Sequence, residues 1–118
     1  METKFNSQIC TTREQSERLL ALGLKKETAD MFIGINWGNE VAYDDKGNYT
    51  GNLNTIIPAW SLHRLISIIK EDCPRLDIIK NVVWIKSVRF NADNIYDNLI
   101  SAYEWLIKEG YFNKEYLV

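Results

Sequence analysis

Residues 81–90 read NVVWIKSVRF, and the fold turns on how they are read. β-Branched and aromatic side chains fill the run, and such residues suit a pleated, half-buried surface. The stretch is read as one strand, the strongest in the chain, with Trp84 expected in the core. Lys86 and Arg89 interrupt its apolar run at positions of opposite parity, so a continuous strand turns one of them toward its less polar side unless a bulge intervenes. They are read as a solvated strand end. The alternative is a cationic contribution to a pocket bounded by Trp84.

Helical patterns flank this strand. Downstream, ADNIYDNLISAYEWLIKEG (92–110) carries Ile95, Leu99, Ala102, Tyr103 and Leu106 at helical spacing. Asp93 or Asn94 can cap it, Asp97 suits the positive end of its dipole, and Gly110 can close it. Upstream, IIPAWSLHRLISIIK (56–70) opens a helix after Pro58, with Leu62, Leu65, Ile66 and Ile69 on one face. Near the N-terminus, TTREQSERLLALGL (11–24) reads as a third helix. Thr11 and Glu14 have capping-box spacing, Gly23 suits a left-handed ending and Leu24 its apolar contact. A short helix from Lys26 to Met31 follows.

Between these helices FIGINWGNEVAYDDKGNYTGNLNTII (32–57) is rich in glycine, asparagine and β-formers. VAYDDKGNYTG is read as a hairpin, Val41 to Tyr43 entering and Asn48 to Thr50 leaving, with turn chemistry at Asp45, Lys46 and Gly47. Gly34 to Asn39 is read as an irregular connection able to act as a mobile lid. Residues 1–10 are read as an extended arm with alternating apolar positions from Phe5 to Ile9, an edge strand. The tail YFNKEYLV (111–118) is too apolar to stay free. The order suits a single α+β domain over 1–118, a small, mostly antiparallel sheet with three or four helices packed on one face.

Composition narrows the function. Of 118 residues, 46% are hydrophobic and 25% charged, as in a globular domain with one core. The net charge of −2 gives no bulk electrostatic case for long nucleic acid. The N-terminus METKFNSQICTT has no signal-peptide core, and no window approaches the roughly 18 apolar residues of a membrane span, so a cytoplasmic location is expected. Cys10 and Cys73 lack ligand-spaced neighbours and are read as buried thiols. Four Trp, six Tyr and four Phe exceed what a modest core needs, and aromatic side chains also serve as interface anchors and stacking platforms.

No phosphate loop, dinucleotide fingerprint, zinc motif or nucleophile elbow occurs, so neither catalytic residues nor a metal or cofactor is expected. In PAWSLHRL the favoured reading is a helix start, with Ser61 as cap, Trp60 fixing the chain's approach, and His63 and Arg64 on the exposed side. The sharper reading gathers Trp60, His63 and Arg64 at that start to hold an anionic, ring-bearing ligand. Trp37 and Arg89 join them as candidate binding residues. Trp105, Tyr111, Phe112 and Tyr116 are candidates for an interface between copies, and a homo-oligomer, a dimer, is expected.

Three stretches, CTTREQSERLLALGLKKETADM, IPAWSLHRL and YEWLIKEGYFNKEYL, together resemble a family of small uncharacterised proteins encoded by phages and integrated mobile elements of gut bacteria. The resemblance covers about half of the chain. It implies no activity and no catalytic residue, only a context: a small accessory protein in the bacterial cytosol. The expected function is then non-enzymatic binding, either sequestering a small anionic, nucleotide-like ligand or blocking a host protein. An assembly module and a small enzyme with a dispersed site are the alternatives.

Overall fold

The computed structural model describes residues 8–44 and 46–118. Among the described residues three helices, α1 (Arg13–Ala21), α2 (Leu62–Asp72) and α3 (Ile95–Lys108), accompany six short strands. Strands β1 (Met31–Asn36), β2 (Asn39–Tyr43) and β3 (Ile57–Ala59) form one antiparallel sheet in the order β2-β1-β3. Strands β4 (Asp77–Ile79), β5 (Val82–Ile85) and β6 (Val88–Phe90) form a second, an antiparallel meander. The class is α+β. The edge strand expected over residues 1–10 lies outside the described residues except for 8–10, which form no strand.

Helix α1 starts one residue later than its sequence signal suggests. Thr12 is the cap and shares a capping box with Gln15. Thr11 is buried instead, its hydroxyl 2.7 Å from that of Ser16 and accepting the Trp60 N–H. The sequence TTREQ offers both registers, and burial selects the second. The ending is as read: Gly23 has φ +98°, its N–H donates to Leu20, and Leu24 N–H donates to Leu19. The short helix expected over 26–31 is only a 3-10 turn at Lys26–Thr28, because β1 begins at Met31.

The hairpin is displaced from its expected place. Val41–Tyr43 belongs to β2, which pairs backward with β1 across a two-residue turn at Trp37 and Gly38. Such turns need positive φ at both central residues, and Trp37 and Gly38 take +53° and +76°. The segment 34–39 is thus part of a hydrogen-bonded hairpin rather than an irregular lid. Residues 46–48 form a 3-10 turn and 48–50 no strand, while Asp45 lies outside the described residues.

The run 81–90 is likewise two strands. Lys86 and Ser87 take φ +48° and +70° and fold β6 back on β5, and Lys80 at +57° begins the turn between β4 and β5. No glycine marks either turn, so the sequence reads straight through them.

The main core lies between α2, α3 and the inner face of the second sheet, where Val83 and Ile85 meet Leu99, Ile100 and Leu106. A smaller cluster joins Ile33, Ile57, Ala59 and Cys10 beneath the first sheet. Burial raises the Cys10 thiol pKa and the Asp30 carboxylate adds to the rise, so Cys10 behaves as core filler. The tail folds back on its own chain: Phe112 packs on Tyr103 at 5.2 Å, and Val118 N–H donates to Gly23 at 2.7 Å.

Candidate functional site

The meander sets its side chains by parity. Ile78, Val83, Ile85, Val88 and Phe90 take the face toward α3. The opposite face carries the cross-strand row Asp77, Trp84 and Arg89. Trp84 is 36% exposed, so the expectation that it lies in the core is corrected. The Lys86–Ser87 turn also settles the parity conflict: Arg89 faces solvent beside Trp84, and Lys86 sits in the turn itself. Trp84→Ala should therefore cost about 1–2 kcal/mol in denaturant titration, less than a core aromatic, because the ring is only partly covered.

The Arg89 guanidinium lies over the Trp84 ring at 5.6 Å from its centroid, and the Lys86 ammonium lies over the Tyr111 ring at 4.5 Å. Tyr111 in turn packs against Trp105 at 5.8 Å. Cations and rings thus alternate along one strip from Arg89 through Trp84 and Lys86 to Tyr111, which rests on Trp105 of α3. A shallow cavity of about 310 Å³ opens on it, lined by Arg75, Asp77, Ile79, Trp84, Lys86 and Ser87. The ion pairs among the described residues, Arg13–Glu40 and Arg18–Asp97, use none of its cations. No protein-family model, no curated protein sequence and no solved structure matches this chain.

The helix start at 60–64 is built differently from the sharper reading. Trp60 is fully buried, its Nε1 donating to the Thr28 hydroxyl at 3.0 Å, and it has no face for a ligand. The anion position at the start of α2 is filled from within the chain. The Asp30 carboxylate accepts the Ser61 N–H at 2.8 Å and the Ser61 hydroxyl. Arg64 is half-buried and donates from Nε to the Thr28 carbonyl at 2.7 Å, while His63 is exposed on the outer side of α2. These residues form a packed helix start.

Trp37 stands alone at the hairpin tip, 94% exposed, apart from the other candidates. Of the four interface candidates, Phe112 is buried and Tyr116 half-buried with its hydroxyl bonded to Glu71. Phe112 is consumed inside the chain, so it is not an interface residue. Trp105 and Tyr111 remain accessible, joined through Lys86 to the strip. Arg75, Ile79 and Ser87 carried no signal in the sequence, because their nearness to Trp84 depends on turns that lack glycine.

A larger cleft of about 650 Å³ lies at the base of the first hairpin, with Met31, Phe32, Ile56 and Pro58 among its apolar lining. Its rim sets Lys26 and Lys46 against Glu27, Asp30 and Asp44. That rim has no cationic excess to attract an anion. Among the described residues no three His, Cys, Asp or Glu side chains come together as a metal site.

Proposed function

We propose that this chain is a non-enzymatic binding protein that sequesters a small anionic ligand bearing an aromatic ring, a nucleotide being the class that fits. The observation that carries the reading is the run of cations and rings that starts with Arg89 and Trp84 on the outer face of the second sheet and passes over the Lys86–Ser87 turn to Tyr111, cationic on a chain of net charge −2. Arg75, Lys86 and Arg89 offer phosphate contacts, and Trp84 and Tyr111 offer stacking surface worth about 1–3 kcal/mol per base. A small ligand engages the strip without bringing further phosphates against the acidic remainder of the chain. Sequestration in the cytosol suits the phage and mobile-element context that the sequence resemblance implies. A second reading, blocking an acidic face of a host protein, is favoured by the exposed Ile79 beside the strip, since apolar area flanked by charge is common at protein interfaces.

Titration with ribonucleoside mono- and triphosphates, with inorganic phosphate as control, is expected to quench tryptophan fluorescence for the nucleotides alone. Binding should weaken as salt is raised. Arg89→Ala and Lys86→Ala should each reduce affinity about tenfold, the loss of one charge-assisted contact, and leave the melting temperature within a few degrees. The reading is wrong if the parent binds none of the nucleotides, or if both variants bind as the parent does.

A further inference from the structure

Strand β2 is an outer strand of its sheet, and it lacks the usual guards of a sheet edge. It contains no proline or lysine, runs in unbroken register over five residues, and bears one charge, Glu40, already paired with Arg13. The other sheet edges among the described residues differ. Strand β3 holds Pro58, and the Thr11 N–H bonds the Trp60 carbonyl just beyond it. Strands β4 and β6 have three residues each.

The register fixes which backbone groups of β2 are free. In a two-residue hairpin the residues flanking the turn, here Asn36 and Asn39, exchange both bonds, and alternate pairs do the same. Gly34–Val41 and Phe32–Tyr43 are then the other bonded pairs, so the N–H and C=O of Glu40 and Ala42 point away from β1. The same parity holds on the far side of β1. There the Ile35 N–H and C=O turn away from β2 and meet the Tyr49 hydroxyl at 3.3 and 3.2 Å.

We infer that the edge of β2 pairs antiparallel with β2 of a second copy of this chain about a two-fold axis through Val41. Glu40 of each copy then stands opposite Ala42 of the other, so every outward N–H and C=O of the two residues finds a partner and no like charges meet. Val41 faces Val41 as a close, non-hydrogen-bonded pair, covering side chains that are exposed in one chain. The same register sets Gly38 opposite Asp44 of the second copy, at the rim of the cleft with the Met31, Phe32, Ile56 and Pro58 lining. The neighbouring Trp37 reaches the mouth of that cleft, which has volume to spare for an indole. This gives a physical reason for a tryptophan at φ +53°, where asparagine or glycine is the usual turn residue.

Val41→Cys tests the register directly. Across a non-hydrogen-bonded pair the Cα atoms approach to about 4.5 Å, within the range a disulfide spans. The native thiols, Cys10 and Cys73, are buried and free, so a covalent dimer reports position 41. Mild oxidation of V41C should give nearly complete covalent dimer, while Thr50→Cys, exposed and outside the strands, should give background only. Sedimentation of the parent should return twice 13.8 kDa. Ala42→Pro should return the monomer with its circular dichroism unchanged, since the Ala42 N–H takes no part in the β1 pairing. Trp37→Ala should weaken the dimer at least tenfold. A parent that sediments as a monomer at its highest soluble concentration overturns the proposal, as does V41C cross-linking no faster than T50C. If A42P fails to fold, the cysteine pair decides.

Discussion

Trp60→Ala is expected to remove about 3–5 kcal/mol of stability, a large share of what a domain of this size possesses. The residue follows β3 directly and has no exposed surface. Its ring belongs to the same buried core as Leu19, Leu65 and Leu99, so truncation leaves a large cavity. Its polar groups fasten it to two distant segments. The backbone N–H donates to the Thr11 hydroxyl at 3.1 Å, the carbonyl accepts the Thr11 N–H at 2.9 Å, and Nε1 donates to Thr28. Trp60→Phe keeps most of the bulk and loses the Thr28 bond, so about 1–2 kcal/mol is expected. Urea titration followed by circular dichroism separates the two. A loss below about 1 kcal/mol for the alanine variant would show that the core does not rest on this ring.

The second large effect is expected at Asn98, a polar side chain on α3 with only 1% exposure. Its Oδ1 accepts the Ala92 N–H at 2.6 Å, and its Nδ2 donates to the carbonyls of Asn81 and Ala92. One amide thereby anchors the turn between β4 and β5 and the loop leaving β6 to the same helix. Alanine leaves those backbone groups without their partner, for an expected loss of about 2–4 kcal/mol. Asn98→Asp has the same shape but aims a carboxylate at two carbonyl oxygens, and it should destabilise more at neutral pH. Protonating that carboxylate restores one donor, so the aspartate variant should recover part of its stability as pH falls. Equal melting temperatures for the aspartate and parent proteins would refute the assigned hydrogen bonds.

These two residues show what the sequence conceals. Apolar spacing announces α3 and α2, and Gly23 announces the end of α1, because those features obey local rules. Asn98 is invisible in the sequence: its partners are defined only once β4, β5 and β6 have turned back on themselves. Those turns rest on Lys80, Lys86 and Ser87 at positive φ, where side chains give no warning. Trp60 and Trp84 both sit in apolar, β-rich surroundings, yet one is wholly enclosed and the other faces water. Trp60 is enclosed because it leaves β3 for the start of α2 and enters the main core, whereas the register of β5 turns Trp84 to the outer face of its sheet. For the same reason the pocket alternative for Lys86 and Arg89 could be read beside Trp84, whereas Tyr111 and Arg75 come to it only through tertiary structure.

The fastening of α1 has a consequence for how the chain is made. Gln8, on the approach to α1, bonds Gln15, accepts from Asn94 at 2.9 Å, and its carbonyl takes the Tyr96 hydroxyl. Gln15 itself reaches Asp97 at 2.8 Å. The bonds to Asn94, Tyr96 and Asp97 span 82 to 88 positions. A ribosome adds residues at about 5–20 per second, so α1 leaves the exit tunnel seconds before any residue of α3 exists to receive it. A nine-residue helix is too short to persist alone in water over that interval. The nascent chain should therefore stay protease-sensitive until α3 has cleared the tunnel, and then close in one late step.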